Sequence, residues 1–485
     1  MTQGFQRHRT AIGRASFSRP VRIALDDGLI GLDVHVLDYG CGRGDDVRGL
    51  LTLGVVAEGW DPQHARPAPT LPTDVVNLGY VLNVIDDPIE RARVLVSAWQ
   101  LAQRLLVVAA RLTSKAPKDP GTPHADGYRT SANTFQRYYE QAELRSFIDS
   151  VLGVQCVPAG PGVFYVFRDH SQRELYLSSR YRSARTTMRI DWALNEQHKA
   201  ILAPILQFVA ERGRLPDESE VKDGDALMQT FGSLRRTYRV VQRLVSAEEW
   251  QRVAQVHHHD LLVYLALSKF GQRPLWSHLP PQLQLDIRAF FGSYAAAQRD
   301  ADTMLFATGK REIVEDACRS SMLGKLTPTA LYVHDSALTH LSPLLRIYEG
   351  CARVVIGRVD GANVVKLHHR EPRVSYLRYP EFDRIGHPAL YESYSVHLQT
   401  FRVSQRRFSE SSNPPVLHRK EQLLTADHPL RPRFERLTRA EERHNLYAQP
   451  ELIGTRNGWE QALAAAGVTV RGHVIRLQPG GQQVD

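Results

Sequence analysis

Apolar and polar positions follow two alternating periods over the first 170 residues. Short apolar runs at 34–39, 55–61, 74–80 and 104–112 read as buried strands. Segments 44–54 and 88–103 place apolar residues at helical spacing, and Pro88 stands at a helix start, where a missing N–H costs nothing. Residues 113–127, rich in Pro, Lys and Gly, read as a loop, and 133–153 as a further helix. "VQCVP" and "VFYVFRD" then form a hairpin across "AGPG". Strands alternating with helices predict a mainly parallel sheet, and the hairpin adds an antiparallel edge.

The pattern changes twice more. Residues 171–325 carry mostly helical spacing, as in "LNEQHKAILAPILQFVAERGRLP". Residues 330–410 turn to valine- and tyrosine-rich alternation, as in "CARVVIGRV" and "RVSYLRY", which reads as strand. The last stretch is charged and punctuated by proline. The expected organisation is an α/β domain at 1–170, a helical domain at 171–325 and a mixed α+β domain at 326–485.

The chemistry starts at "HVLDYGCGRGDD" (35–46), a strand running into a glycine-rich turn. Asp38, Gly40, Gly42 and Gly44 stand at D-x-G-x-G-x-G spacing. A dinucleotide fingerprint is G-x-G-x-x-G, with a helix N-terminus taking a pyrophosphate. Here the glycines alternate and a carboxylate precedes them. That pattern resembles motif I of the class I S-adenosylmethionine-dependent methyltransferases, and so implies a Rossmann-like sheet. It also implies that the turn, Tyr39 and Asp45 included, lies along the methionine part of the cofactor. The next strand ends in "GWDP", and Asp61 falls where such enzymes hold the ribose hydroxyls; one carboxylate accepts both hydrogen bonds. Only "PQHARPAPTLPT" separates Asp61 from the strand at Asp74. That is too short for a helix, a strand and a second helix, so the outer strand of the sheet is expected to be missing or shrunken. The residues of an adenine pocket do not carry over.

Asn77-Leu78-Gly79-Tyr80 ends the following strand. Its position is similar to the N-P-P-Y motif of amino-methyltransferases acting on adenine or cytosine, with both prolines replaced. The resemblance gives Asn77 the exocyclic amine and Tyr80 the face of a flipped base. The other reading leaves Asn77 lining the cofactor and Tyr80 packed on the next helix.

Charge adds a partner class. The chain carries a net charge of +9, which suits a polyanion as well as a merely basic soluble protein. Residues 1–25 hold Arg7, Arg9, Arg14, Arg19 and Arg22. Arg235, Arg236, Arg239 and Arg243 line one face of a helix that follows "ERGRLPDESEV", as in a helix-turn-helix-like reader of phosphates or as a solvated face in a bundle. The bend "NPPVLHRKE" offers Arg419 and Lys420 as a second contact or serves as a connector. The four scattered cysteines form no C-x-x-C pair, which fits a reducing cytoplasm and argues against a zinc site. The histidines of "HHHD" (257–260) and "KLHHRE" (366–371) diverge from one another and predict no metal. The apolar runs fall far short of a membrane span, and the basic start is not a signal peptide.

Over nearly its whole length the chain resembles the DNA phosphorothioation-associated putative methyltransferases of bacteria. The matching stretches are "RHRTAIGRASFSRPV", "VLDYGCGRGDDVRGL", "GWDP", "DVVNLGYVLNVIDDPIERARVL", "GRLP" with "FGSLRR", "LRIYEGCARVVIGRV" and "NPPVLHRKE". The resemblance implies a methyltransferase with S-adenosylmethionine as cofactor, working with a DNA sulfur-modification system in bacterial defence. DNA is then the expected substrate and proteins of that system the expected partners. An RNA or small-molecule methyltransferase, and a non-catalytic DNA-binding partner of that system, are the alternatives.

Overall fold

A computed structural model describes residues 5–65, 71–183, 188–192, 196–222 and 224–477. Strands β1 (His35–Tyr39), β2 (Val56–Trp60), β3 (Thr73–Gly79) and β4 (Ala102–Ala109) lie parallel. Three short strands, β5 (Thr122–His124), β6 (Gly127–Arg129) and β7 (Phe135–Gln136), make a small separate sheet. The hairpin β8 (Val157–Gly160) and β9 (Val163–Phe167) then closes the main sheet antiparallel to β4. The resulting order is β2-β1-β3-β4-β9-β8. The chain leaves β1 towards β2 on one side and returns to β3 on the other. A ligand crevice therefore opens beyond the C-terminal ends of β1 and β3. Among the described residues β2 is the edge strand and no strand lies outside it.

Side chains decide the packing. β3, β4 and β9 are buried along most of their length, as expected of strands covered on both faces. Leu37, Val76, Leu78, Leu106 and Val108 form one core with Leu95 and Ala98 of a covering helix. That helix, α3 (Pro88–Leu101), starts at Asp87, whose carboxylate accepts from Ile89 N at 2.9 Å. Helix α1 (Arg19–Asp26) precedes the sheet, and α2 (Asp45–Thr52) follows the glycine-rich turn.

The helix expected from residue 133 begins later. Helix α4 spans Gln141–Leu152, because Glu140 and Glu143 form a capping box that fixes its first turn. Upstream, Asn133 sits at φ 58° and Phe135 is fully buried in β7.

The chain divides into two compact units. The first holds Met1–Asp169, Thr327–Asp335 and Cys351–Asp485, so most of the stretch expected as a third domain shares a unit with the cofactor-type sheet. That stretch contains the antiparallel strands Val364–His368, Arg373–Arg378, Glu392–His397 and Val403–Arg407 and the helices Arg431–Arg443 and Arg456–Ala465. The second unit, His170–Leu326 with Ser336–Gly350, is helical and is built around the 21-residue helix Ala247–Leu267. No described helix is long and apolar enough to cross a membrane.

Candidate cofactor and acceptor site

The parallel register sets Asp38 of β1 beside Gly59 of β2 and Asn77 of β3. All three lie at the strand ends that face the crevice. The turn then reverses the chain against β2: Gly40 N and Cys41 N both donate to Trp60 O, at 2.7 and 3.0 Å. Gly40 has φ 92° and Gly42 φ 52°, values that favour glycine. A Cβ on Gly40 would overlap the Val81 side chain, and one on Gly42 would stand 3.1 Å from Ala11 Cβ. Glycine is thus required here both by backbone conformation and by close approach.

A 320 Å³ cavity opens above this turn. Asp38, Tyr39, Gly40, Gly42, Asp45, Asp61, Asn77 and Tyr80 all line it. Gly44 does not; it stands behind them as the residue before α2.

Asp38 is almost fully buried and accepts from Asn77 Nδ2 at 2.8 Å. Burial, reinforced by the charge of Asp46, pushes its carboxyl up to about 7. Asn77 is equally buried, and its Oδ1 has no hydrogen-bond partner among the described residues. An orphaned carbonyl at this depth is costly unless a ligand donor meets it. Asp61 accepts from Gly42 N at 3.2 Å, Gln63 N at 2.9 Å and His64 N at 3.0 Å. Its carboxylate is thereby held at the tip of β2. Tyr39 packs on Trp60 with ring centroids 4.5 Å apart. Burial pushes the Cys41 thiol up to about 12, which leaves no thiolate near neutral pH.

Tyr80 adopts φ 64°, a strained conformation for an aromatic residue, held by Tyr80 N donating to Ala109 O at 2.7 Å. Its ring stands 6.0 Å from the Arg14 guanidinium. Burial raises the phenol above its ordinary value, while Arg19, Arg14 and Arg111 act to lower it. Asp360 acts the other way, and Asp38, Asp45, Asp46 and Asp61 line the same cavity, which therefore carries charges of both signs.

The basic arm, with no assigned site role in the sequence, is a wall of this cavity through Arg7, Thr10, Ala11, Ile12 and Arg14. Arg7 pairs with Glu90 at 2.5 Å and Asp86 at 2.7 Å. Arg14 N donates to Asp45 Oδ2 at 2.7 Å, and Ser18 N donates to Asp46 Oδ1 at 2.6 Å. Asp45 is thus committed to the arm, and also pairs with Arg48. No local sequence signal points to this, because Arg7 and Glu90 are 83 positions apart.

The expected nucleic-acid contacts fall into two groups. Arg235, Arg236, Arg239 and Arg243 are all exposed on the helix Leu234–Arg243, opposite the buried Thr237 and Val241. None of the four has an ion-pair partner among the described residues. The helix Gly224–Phe231 precedes it across Gly232 and Ser233, and Ser233 caps it by accepting from Arg236 N.

Lys420 is different and the expectation for it is corrected. It is 2% exposed, and its ammonium donates to Phe382 O at 2.5 Å and Ile385 O at 2.6 Å. Burial lowers it to about 7. Arg419 pairs with Glu442 at 2.7 Å and lies over Tyr447. The bend therefore braces the chain from within and does not offer these two cations to a phosphate. The "HHHD" histidines point to different neighbours: His257 meets Ala210 O at 3.0 Å and His258 stacks on Phe291.

No family model matches the chain, and no curated protein matches it. Among solved structures it is similar to magnesium protoporphyrin IX methyltransferase from Synechocystis with bound SAH. That match has 17% identity and a TM-score of 0.24, over 34% of this chain and 93% of that one. It is also similar to an amino pentose methyltransferase from Micromonospora with bound SAM, at 14% identity and a TM-score of 0.23, over 33% and 94%. A third match, at 11% identity and a TM-score of 0.23, is to an RNA repair complex, over 32% of this chain and 42% of that one. At these scores the likenesses argue nothing by themselves. The strand order and the residues around the crevice are this chain's own evidence.

Proposed function

We propose that the protein is an S-adenosylmethionine-dependent methyltransferase acting on nucleic acid, DNA foremost, in association with a bacterial DNA phosphorothioation system. The observation that carries the reading is the orphaned Asn77 carbonyl, buried between the glycine-rich turn and the strained Tyr80 in one cavity. The donor set fits the cofactor. Asp38 suits its ammonium end, the turn at Gly40 and Gly42 lets the backbone lie against its methionine part, and Asp61 suits a ribose diol. When bound, the cofactor supplies a methyl group on a sulfonium, open to in-line displacement.

The chain's own task is then positioning. Asn77 Oδ1 accepts a hydrogen bond from the acceptor's amine and points its lone pair at the methyl carbon. Tyr80 presents a ring face on which a flipped base stacks. The exposed arginines of the helix Leu234–Arg243 supply phosphate contacts. The tie to phosphorothioation rests on the sequence resemblance.

The test is transfer of labelled methyl groups from S-adenosylmethionine to duplex DNA, RNA and small-molecule extract. The reading expects DNA to be labelled and Asn77→Ala to lower the rate at least about 100-fold with cofactor affinity within a few fold. Labelling of RNA or extract alone moves the acceptor to that class. Cofactor binding without labelling of any pool leaves a non-catalytic DNA-binding partner.

A further inference from the structure

The helix Arg431–Arg443 has a second face that the methyl-transfer site does not use. Phe434, Leu437, Thr438 and Glu441 are buried on one side. Arg433, Arg436 and Arg443 fall on the other, within about 80° of one another at 100° per residue. They span about 15 Å along the axis at 1.5 Å per residue. All three are exposed, and so is Arg471 at the end of the strand Val468–Arg471.

These four arginines border one open cleft of 1180 Å³. Ala440 and the run Ala464 to Gly467 line it as well, so small residues stand among the long cations. No Asp or Glu lines it. The acids of the same helix are committed elsewhere: Glu435 pairs with Arg431, Glu442 with Arg419, and Glu441 with His387 and Tyr447. Among the described residues none of the four arginines has an ion-pair partner. A second, independent observation lies in the wall. His473 is only 9% exposed, its Nε2 meets Lys420 Nζ at 3.2 Å, and its Nδ1 has no hydrogen-bond partner.

We propose that this cleft is a nucleic-acid docking site, separate from the methyl-transfer cavity, that takes the phosphodiester backbone of a duplex through Arg433, Arg436, Arg443 and Arg471. Four like charges held together without counter-charges repel one another, and a polyanion relieves that repulsion. Guanidinium forks match phosphate oxygens in pairs. The cleft is larger than the roughly 300–1,000 Å³ of a small-molecule pocket. Duplex DNA offers a charge about every 1.7 Å of axis, so several phosphates face a 15 Å row. Small lining residues leave room for a backbone, and guanidinium–phosphate contacts carry no sequence information, so the contact is independent of sequence.

Salt-dependent binding of a short labelled duplex to the full chain tests this. Each phosphate contact contributes about 0.9 to the slope of log affinity against log salt. Arg436→Ala with Arg443→Ala is expected to reduce that slope by about 1.8. Arg436→Lys with Arg443→Lys, which keeps the charge, is expected to retain it. An unchanged slope in the alanine variant, no binding of any duplex by the wild type, or an effect on phosphatidylserine vesicles and not on duplex overturns the assignment. Calorimetry with S-adenosylmethionine on the same variants keeps the two claims apart. A chain that loses the salt slope on substitution and never binds the cofactor retains the docking cleft and loses the methyltransferase reading.

Discussion

Asp38 has a carboxyl that burial lifts to about 7, well above the ordinary carboxylate value. The linkage has a definite sign. A raised folded-state pKa means that the native protein holds the proton longer than the unfolded chain between about pH 4 and about pH 7. In that window this group's contribution to stability falls as pH rises. Binding of a cationic ligand runs the other way, because the ligand needs the carboxylate. Cofactor affinity should therefore rise about eightfold from pH 6 to pH 7.5, following the ionised fraction of Asp38. Calorimetric titration at several pH values checks it, and Asp38→Asn should flatten the profile. A flat wild-type profile would remove Asp38 from the ammonium site. At the neighbouring strand end, Tyr80 shows why a sequence motif alone stays ambiguous. The letters Asn-Leu-Gly-Tyr fit two roles, and neither the φ of 64° at Tyr80 nor the orphaned Asn77 carbonyl can be read from them.

Among elements, the strand–turn–helix at 35–52 was legible because everything that determines it is local: a buried apolar run, alternating glycines, then a helical face. The short link after Asp61 likewise bears on the outer strand by length alone, and among the described residues no strand lies outside β2. Two elements were misread: the run "CARVVIGRV", read as strand, begins inside the helix Pro343–Ile356, and the helix expected from residue 133 begins at Gln141. The helix from residue 133 looked continuous by composition, but the Glu140–Glu143 capping box overrides the upstream pattern. The bend at 413–421 left two readings open, a second phosphate contact or a connector, because charge in a sequence says nothing of the carbonyls waiting in the fold. Lys420 meets two of them and lies against Phe434 at 3.9 Å. Lys420→Met should leave both carbonyls unpaired and lower unfolding free energy by about 2 kcal/mol in urea titrations, while duplex affinity stays within about twofold. A loss of duplex affinity with unchanged stability would restore Lys420 as a phosphate contact.

On the scale of the whole molecule, the cofactor-type cavity is assembled from parts far apart in sequence. The basic arm reaches across to Asp86, Glu90, Asp45 and Asp46 and covers the turn. Pairings of that range leave no periodic trace, so this wall was invisible in the sequence, although its arginines were not. The arginines of the helix Leu234–Arg243 and of the C-terminal cleft have no ion-pair partner among the described residues. The methyltransferase reading depends on one claim, that the crevice between β1 and β3 binds S-adenosylmethionine. Calorimetric titration of the cofactor into wild type and Asp61→Ala, each first shown to be folded, tests it most directly. The account predicts saturable micromolar-range binding to wild type and at least about a thirtyfold loss in the variant, the equivalent of one or two charge-assisted hydrogen bonds. A wild-type titration with no heat and no saturation, or a variant that binds as well as wild type, would contradict it.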